Sequence, residues 1–203
     1  IESSTDAGSM SNRPPLTKAI AAYAVGSRYD ALPGLVQAEA VRAFVNWVGV
    51  TLGGCRESAV LRAAQYLAAR GGNPQASVIG RGQRSDPAGA AFANCIASSV
   101  LAFDDAHPGT IAHPRGPAAA SLFAIAQSRV VSGSEFLNAL ALGIDVQCRI
   151  AKALVQAPAP INAGFYVNGI SGPVGVATAV GRLTGLDAQQ MAWAIGIAAS
   201  QPV

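Results

Sequence analysis

The chain has 203 residues, of which 51% are apolar and only 12% charged, with a net charge of +3. About a quarter charged would be usual, so apolar surface is ample for a core and charge is scarce for covering the outside. The few basic residues are scattered and not interleaved with aromatics, which excludes a nucleic-acid footprint. No run of 18 strictly apolar residues occurs, so no membrane-spanning helix is expected. Cys55, Cys95 and Cys148 lie far apart and form no CxxC pair, which argues for buried thiols in a reducing compartment, the cytoplasm, rather than a disulfide framework or structural zinc. Residues 1–10 are polar and patternless and are expected to be an expression remnant, with the natural chain starting near Met10 and one helical domain over 11–203.

In chain order the residues read as helices. Leu16 to Ala24 follows Pro14-Pro15. Pro33 suits a first turn, and Leu35, Val36, Ala40, Ala43, Phe44, Trp47 and Val48 recur at helical spacing until Gly53-Gly54. Ala59 to Ala69 is a third helix, ended by Gly71-Gly72-Asn73-Pro74. Ala76 to Gly80 is a brief extended piece. Asp86-Pro87 starts a charge-poor helix running to Leu101.

Beyond a loop, Pro117 to Val131 is an alanine-rich helix. Ser134 is expected to cap the next one, along which Phe136, Leu137, Leu140, Ile144 and Ile150 recur. Proline turns at Pro158 and Pro160 precede Gly164-Phe165-Tyr166. Val174 to Leu183 is a helix of small residues, and Asp187 with Gln190 is a capping-box-like start to the last, through Met191, Trp193 and Ile197. With strands nearly absent, the predicted class is all-α, with orthogonal or bundle-like packing.

The loop between the fourth and fifth helices, Ala102 to Gly116, gathers Asp104, Asp105, His107, His113 and Arg115, which include both histidines of the chain. Pro108 and Pro114 keep it from being helical. Loops on a rigid scaffold are where catalytic groups concentrate. The competing reading is a capping loop, with Asp104 or Asp105 satisfying free N–H groups and the histidines merely packed. No metal site is expected, since no third histidine or cysteine stands at ligand spacing. Neither a phosphate-binding glycine loop nor a nucleophile elbow is present.

Four stretches carry a family resemblance: Val41–Gly54 (VRAFVNWVGVTLGG), Phe103–Gly116 (FDDAHPGTIAHPRG), Ser132–Ala151 (SGSEFLNALALGIDVQCRIA) and Gly172–Gln201 (GPVGVATAVGRLTGLDAQQMAWAIGIAASQ). In order and spacing they resemble the N-terminal helical region of the MmgE/PrpD family, which includes 2-methylcitrate dehydratase, cis-aconitate decarboxylase and iminodisuccinate epimerase. The resemblance implies a large all-helical domain, with a smaller α+β lid expected beyond the point where this chain stops. It also implies a dimer and chemistry without metal or organic cofactor on small di- and tricarboxylates. That chemistry removes a proton or carbon dioxide from carbon next to a carboxylate, which needs a base, an acid and donors aimed at carboxylate oxygens.

On this resemblance His113, the histidine before proline, is the expected proton donor or acceptor, since imidazole titrates near neutral pH. Asp104, Asp105 and His107 match the retained loop, and Arg115 is a candidate for attracting a carboxylate. Arg149 and Lys152 are expected instead to form charge pairs or face solvent. Three positions depart from the pattern. Ala102 stands where the family has Asp, Ala106 where it has Thr, and Tyr166 where it has a second catalytic histidine. A phenol, titrating near about 10, donates a hydrogen bond but is a poor base at neutral pH. Two functions therefore follow: a lyase or isomerase acting on a small carboxylate, or a truncated, catalytically degenerate paralogue serving as a binding or assembly subunit. The low charge adds an expectation of self-association or a partner polypeptide.

Overall fold

The computed structural model describes residues 15–155 and 166–201. The proposed N-terminal remnant, Pro158, Pro160 and Gly164-Phe165 lie outside the described residues. Eight helices and one small hairpin are described: α1 (Leu16–Gly26), α2 (Gly34–Gly54), α3 (Ser58–Arg70), β1 (Ala76–Val78), β2 (Gln83–Ser85), α4 (Pro87–Ser99), α5 (Arg115–Ala126), α6 (Gly133–Val155), α7 (Val167–Thr184) and α8 (Ala188–Ala199). The class is the expected all-α one.

Helix α5 is the axis of the packing. Ala118, Ala119, Ala120, Leu122 and Ala124 on it are fully buried, and α4, α6 and α7 lie against it. Such a helix has no fully exposed residue, which is why its sequence is alanine-rich with no amphipathic stripe. One core cluster joins it to Trp47 on α2. The Trp47 ring stacks on Phe44 with centroids 5.6 Å apart and meets Phe123 at 5.5 Å. Truncating a buried aromatic of this kind typically costs roughly 3–5 kcal/mol. A second cluster gathers Leu142, Val146, Met191 and Ile195 beneath Ala21 and Ala24 of α1.

The α6–α7 seam is at backbone contact. A Cβ on Gly143 would sit 2.7 Å from the Ala179 Cβ and 3.0 Å from the Gly175 carbonyl, and one on Gly175 would sit 2.8 Å from the Gln147 Cβ. Only glycine fits either position without a shift.

Several boundaries differ from the sequence reading, each for a local reason. The extended piece at 76–78 has a partner, Gln83–Ser85, in register Ala76↔Ser85 and Val78↔Gln83. The hairpin is held by the fully buried Asn94 of α4, which accepts from the Ile79 N–H at 2.9 Å and donates to the Ser77 carbonyl at 3.0 Å. Helix α5 starts at Arg115, not Pro117, and stops at Ala126. Just beyond, the Gln127 side chain accepts from the Ser77 N–H and hydroxyl at 3.0 and 2.8 Å. The cap of α6 is Ser132 rather than Ser134. Its Oγ accepts from the Glu135 N–H at 3.2 Å, and the Glu135 carboxylate accepts in return from the Ser132 N–H at 2.9 Å, a reciprocal capping box. Helix α7 begins seven residues before Val174 and runs through Pro173. The Asp187–Gln190 box starts α8 as expected.

Candidate functional site

The loop from Val100 to Pro114 is built on two left-handed residues. Ala102 (φ 54°) and Ile111 (φ 52°) are the non-glycine residues with positive φ among those described. At the first, α4 ends and the Ala102 N–H donates to the Ser99 carbonyl at 2.9 Å. At the second, the chain reverses inside a knot. The His107 N–H donates to the Ala112 carbonyl at 2.8 Å, and the Thr110 and Ile111 N–H groups donate to the His107 carbonyl at 3.0 and 2.9 Å. The buried Thr110 hydroxyl completes it, 2.9 Å from His107 Nδ1 and accepting from the Ala112 N–H at 3.3 Å. Strain of this kind, of order 1–3 kcal/mol per residue, concentrates at functional loops.

The knot decides where each polar side chain goes. Asp104 and His113 are turned to one side, with Asp104 Oδ2 at 3.4 Å from His113 Nδ1. This is ion-pair range without hydrogen-bond alignment, so Nδ1 has no hydrogen-bond partner among the described residues. The His113 backbone N–H donates to Asn168 Oδ1 at 2.7 Å, and the Asn168 amide donates to the Tyr166 phenol oxygen at 3.1 Å. Asp104, His113, Tyr166 and Asn168 thus line one cleft of about 360 Å³, with Ala102 at its edge.

Gly116 and Gly169 line the same cleft, and these residues lie in the first turns of α5 and α7. First-turn N–H groups have no partner within their helix, and the helix dipole makes both ends positive. Two helix N-termini therefore converge beside an imidazole, an arrangement suited to anions. Pro114, at the N-cap of α5, gives no side-chain cap, and the backbone N–H of Arg115 bears on the Asp105 carboxyl. A Cβ on Gly116 would lie 3.0 Å from Ser98 Oγ of α4. The residue after Arg115 is small because α5 presses against α4 there.

Asp105 faces the opposite way. Its Oδ2 lies 3.5 Å from Arg115 Nε, and Arg115 Nη1 donates to Asn46 Oδ1 of α2 at 2.6 Å. These groups line a separate cleft of about 570 Å³ between α2 and α6. Burial pushes the Asp105 carboxyl above its usual value, against the pull of the Arg115 guanidinium. Burial likewise raises two thiols to about 11: Cys95, with the charge of Asp104 adding, and Cys148, with Asp105 and Asp145 adding.

Of the residues singled out from sequence, the structure brings together His113, Asp104 and Tyr166, with Ala102 beside them. It separates Asp105 and Arg115 onto the rear face. His107 ties the knot and does not line the cleft, and Ala106 is exposed away from it. Arg149 pairs with Asp145 at 2.7 Å on the α6 surface, and Lys152 is exposed, as expected. Asn168, Asn46 and Thr110 were not legible as site residues. They act through contacts 55, 69 and three residues away in the chain, and an asparagine or threonine carries no spacing signal of its own. Among the described residues no three His, Cys, Asp or Glu side chains cluster as a metal would require. No described helix is long and apolar enough to cross a membrane.

Comparison with known proteins bears on this geometry. A family model described as the MmgE/PrpD N-terminal domain matches residues 18–203. The cis-aconitate decarboxylase of Aspergillus terreus is 30% identical over 129 residues, covering 61% of this chain and 26% of the relative. Those of Mus musculus and Homo sapiens are 28% and 29% identical over 191 residues, covering 91% of this chain and 38% and 39% of the relatives. The chain thus spans well under half the length of these curated relatives.

Proposed function

This chain belongs to the MmgE/PrpD family, and from that premise we propose that its His113 cleft is the carboxylate-binding and proton-transfer part of a lyase acting on small di- or tricarboxylates. The supporting observation is the juxtaposition of an imidazole, a carboxylate 3.4 Å from it, and two helix N-termini around one cleft. In this reading the free N–H groups of the first turns of α5 and α7 hold a substrate carboxylate. They also stabilise the charge that develops on it as a proton or carbon dioxide leaves the adjacent carbon. His113 moves the proton, and Asp104 orients the ring and balances its charge. Tyr166 accepts from Asn168 through its oxygen, so its own O–H remains to donate into the cleft. Relatives that are cis-aconitate decarboxylases favour an unsaturated tricarboxylate and support the lyase reading over the assembly-subunit alternative. Self-association belongs to the same proposal. Val41, Val45 and Leu52 are exposed along one face of α2, and dilution-resistant dimers in sedimentation would support it.

The test is ligand-induced stabilisation, since a ligand that binds only the folded state raises its melting temperature by mass action. Citrate and cis-aconitate should each raise it, the folded state gaining about 2.7 kcal/mol at a hundredfold excess over Kd, and His113→Ala should abolish the rise. A full rise in the variant would move the site elsewhere.

A further inference from the structure

One amide side chain ties together the two helix N-termini that meet at the His113 cleft. Asn168 is the second residue of α7, after the N-cap Tyr166, and is half-buried. Its Oδ1 accepts from the His113 backbone N–H at 2.7 Å, two residues before α5 begins. Its Nδ2 lies 3.1 Å from the Tyr166 phenol oxygen. The orientation of this amide follows from chemistry. A backbone N–H can only donate, so the amide atom facing His113 is the oxygen and the nitrogen is left for the phenol. An amide nitrogen also only donates, so the phenol oxygen accepts. That contact is the phenol's one hydrogen bond among the described residues, and its own proton points elsewhere.

The ring is seated as well. A Cβ on Gly169 would lie 3.3 Å from Tyr166 Cδ1 and 3.9 Å from Tyr166 Cβ, so the ring lies along the first turn of α7 over a residue with no side chain. Tyr166 lines the cleft with Asp104, His113 and Asn168, yet it is 71% exposed. An exposed side chain without a tether changes rotamer freely. A hydrogen bond to a partner that is itself held at its other end restricts that freedom before any ligand arrives. Anchoring His113 needs only an acceptor at position 168, which an aspartate would supply equally. The nitrogen is what an asparagine adds, and it sets the polarity of the phenol.

We propose that Asn168 is a positioning residue: held by His113 through its oxygen, it presents its N–H to Tyr166 and keeps the phenol a hydrogen-bond donor to the bound carboxylate. This rests on the carboxylate reading of the His113 cleft, and the experiment separates the two. Citrate binding to the 203-residue chain is measured by calorimetry for the unmodified protein, Tyr166→Phe, Asn168→Asp and the double variant. Asn168→Asp keeps an oxygen for the His113 N–H, has no proton to give the phenol, and accepts from the phenol O–H instead. A hydrogen bond to a charged group contributes a factor of roughly ten to a hundred, so Tyr166→Phe should weaken citrate about tenfold or more. Asn168→Asp should weaken it further, since it also adds a negative charge. With phenylalanine at 166 only that charge remains to act, so the aspartate should cost at least about fivefold less there. By NMR of the free chain, the His113 amide should keep its hydrogen-bonded proton shift in Asn168→Asp and lose it in Asn168→Ala.

An aspartate that costs the same factor with tyrosine or phenylalanine at 166 overturns the inference and leaves the carboxylate reading standing. Tyr166→Phe binding citrate as tightly as the unmodified protein has the same consequence. A His113 amide that does not respond to Asn168→Ala also overturns it, because the amide then holds nothing in solution. Absence of citrate binding by the unmodified protein overturns the carboxylate reading and this inference with it. Should Asn168→Asp fail to fold, the same comparison with Asn168→Ala reads the coupling, and an equal cost in both backgrounds again overturns the inference.

Discussion

Asp104 and Asp105 are identical in chemistry and adjacent in sequence, yet the loop turns them to opposite sides of the chain. Asp104 is nearly buried, with a side-chain exposure of 10%, but it faces His113, whose side chain is 41% exposed at the mouth of a cleft. Asp105 is buried to a similar degree, at 12%, but its neighbour is Arg115, itself only 20% exposed and tied to Asn46 on α2. One carboxylate therefore faces an imidazole that reaches solvent. The other is paired with a permanent cation that is itself held by Asn46 on the wall of the second cleft. The difference lies in what each carboxylate faces, since burial alone does not distinguish them. On the proposed function, the front of the loop carries the chemistry and the rear the anchoring. On that proposal Arg115, two residues after His113 and tied to Asn46 and Asp105, would position the imidazole by fixing the start of α5.

Breaking the rear anchor should give the largest effect on stability. Arg115→Met leaves Asp105 buried without its cation and Asn46 without its donor. Removing one partner of a buried pair costs roughly 3–5 kcal/mol, and less where part of the pair reaches water. A loss of about 2 kcal/mol is expected, or roughly 4–8 °C in melting temperature for a chain of this length. A change below about 0.5 kcal/mol would mean that the rear contact anchors nothing.

The second prediction uses pH. The folded-state carboxyl of Asp105 is raised above 3.8 by burial. Protonated Asp105 is favoured in the folded chain, so its stabilising contribution is complete below the ordinary carboxylate value. That contribution is lost as pH rises through the raised folded value. Asp105→Asn cannot ionise and should not share this loss. The melting temperature of the variant should therefore gain on that of the unmodified chain between about pH 4 and pH 7. A difference that is constant, or that runs the other way, would show that Arg115 outweighs burial.

The smallest effect concerns the left-handed turn that opens the loop. A non-glycine residue in this conformation costs roughly 1–2 kcal/mol, and glycine recovers part of that while adding entropy to the unfolded chain. Ala102→Gly should stabilise by about 0.5 kcal/mol in denaturant titration. Destabilisation would mean that the Ala102 methyl makes a contact that offsets the strain.

Much of the fold was legible because prolines and glycines mark where these helices can begin and end. Asp86-Pro87 starts α4, with the Asp86 carboxylate accepting from the Gly89 N–H at 3.1 Å, and the Asp187–Gln190 box starts α8. The same punctuation misled at Pro173. A proline in mid-helix removes one hydrogen bond, yet α7 continues through it, held against α6 by glycines at backbone contact. That compensation comes from tertiary packing and leaves no mark in the local sequence. The hairpin partner Gln83–Ser85 was missed because three residues with no apolar alternation carry no strand period. In the site, the loop and its ionisable residues stood out by composition alone. Which of them share a cleft did not, because the front–rear division depends on the turns at Ala102 and Ile111, where neither residue type signals a left-handed backbone.

The front–rear division is tested most directly by following both histidines and the loop amides by NMR as citrate is added to the unmodified chain. The imidazole of His113 and the amides of Gly116, Asn168 and Gly169 should shift together along one saturable curve. The His107 ring, held against Thr110, and the Asp105 and Asn46 amides should stay in place. Shifts centred on Asp105, Arg115 and Asn46, with His113 unmoved, would put the ligand on the rear face and overturn the front–rear division.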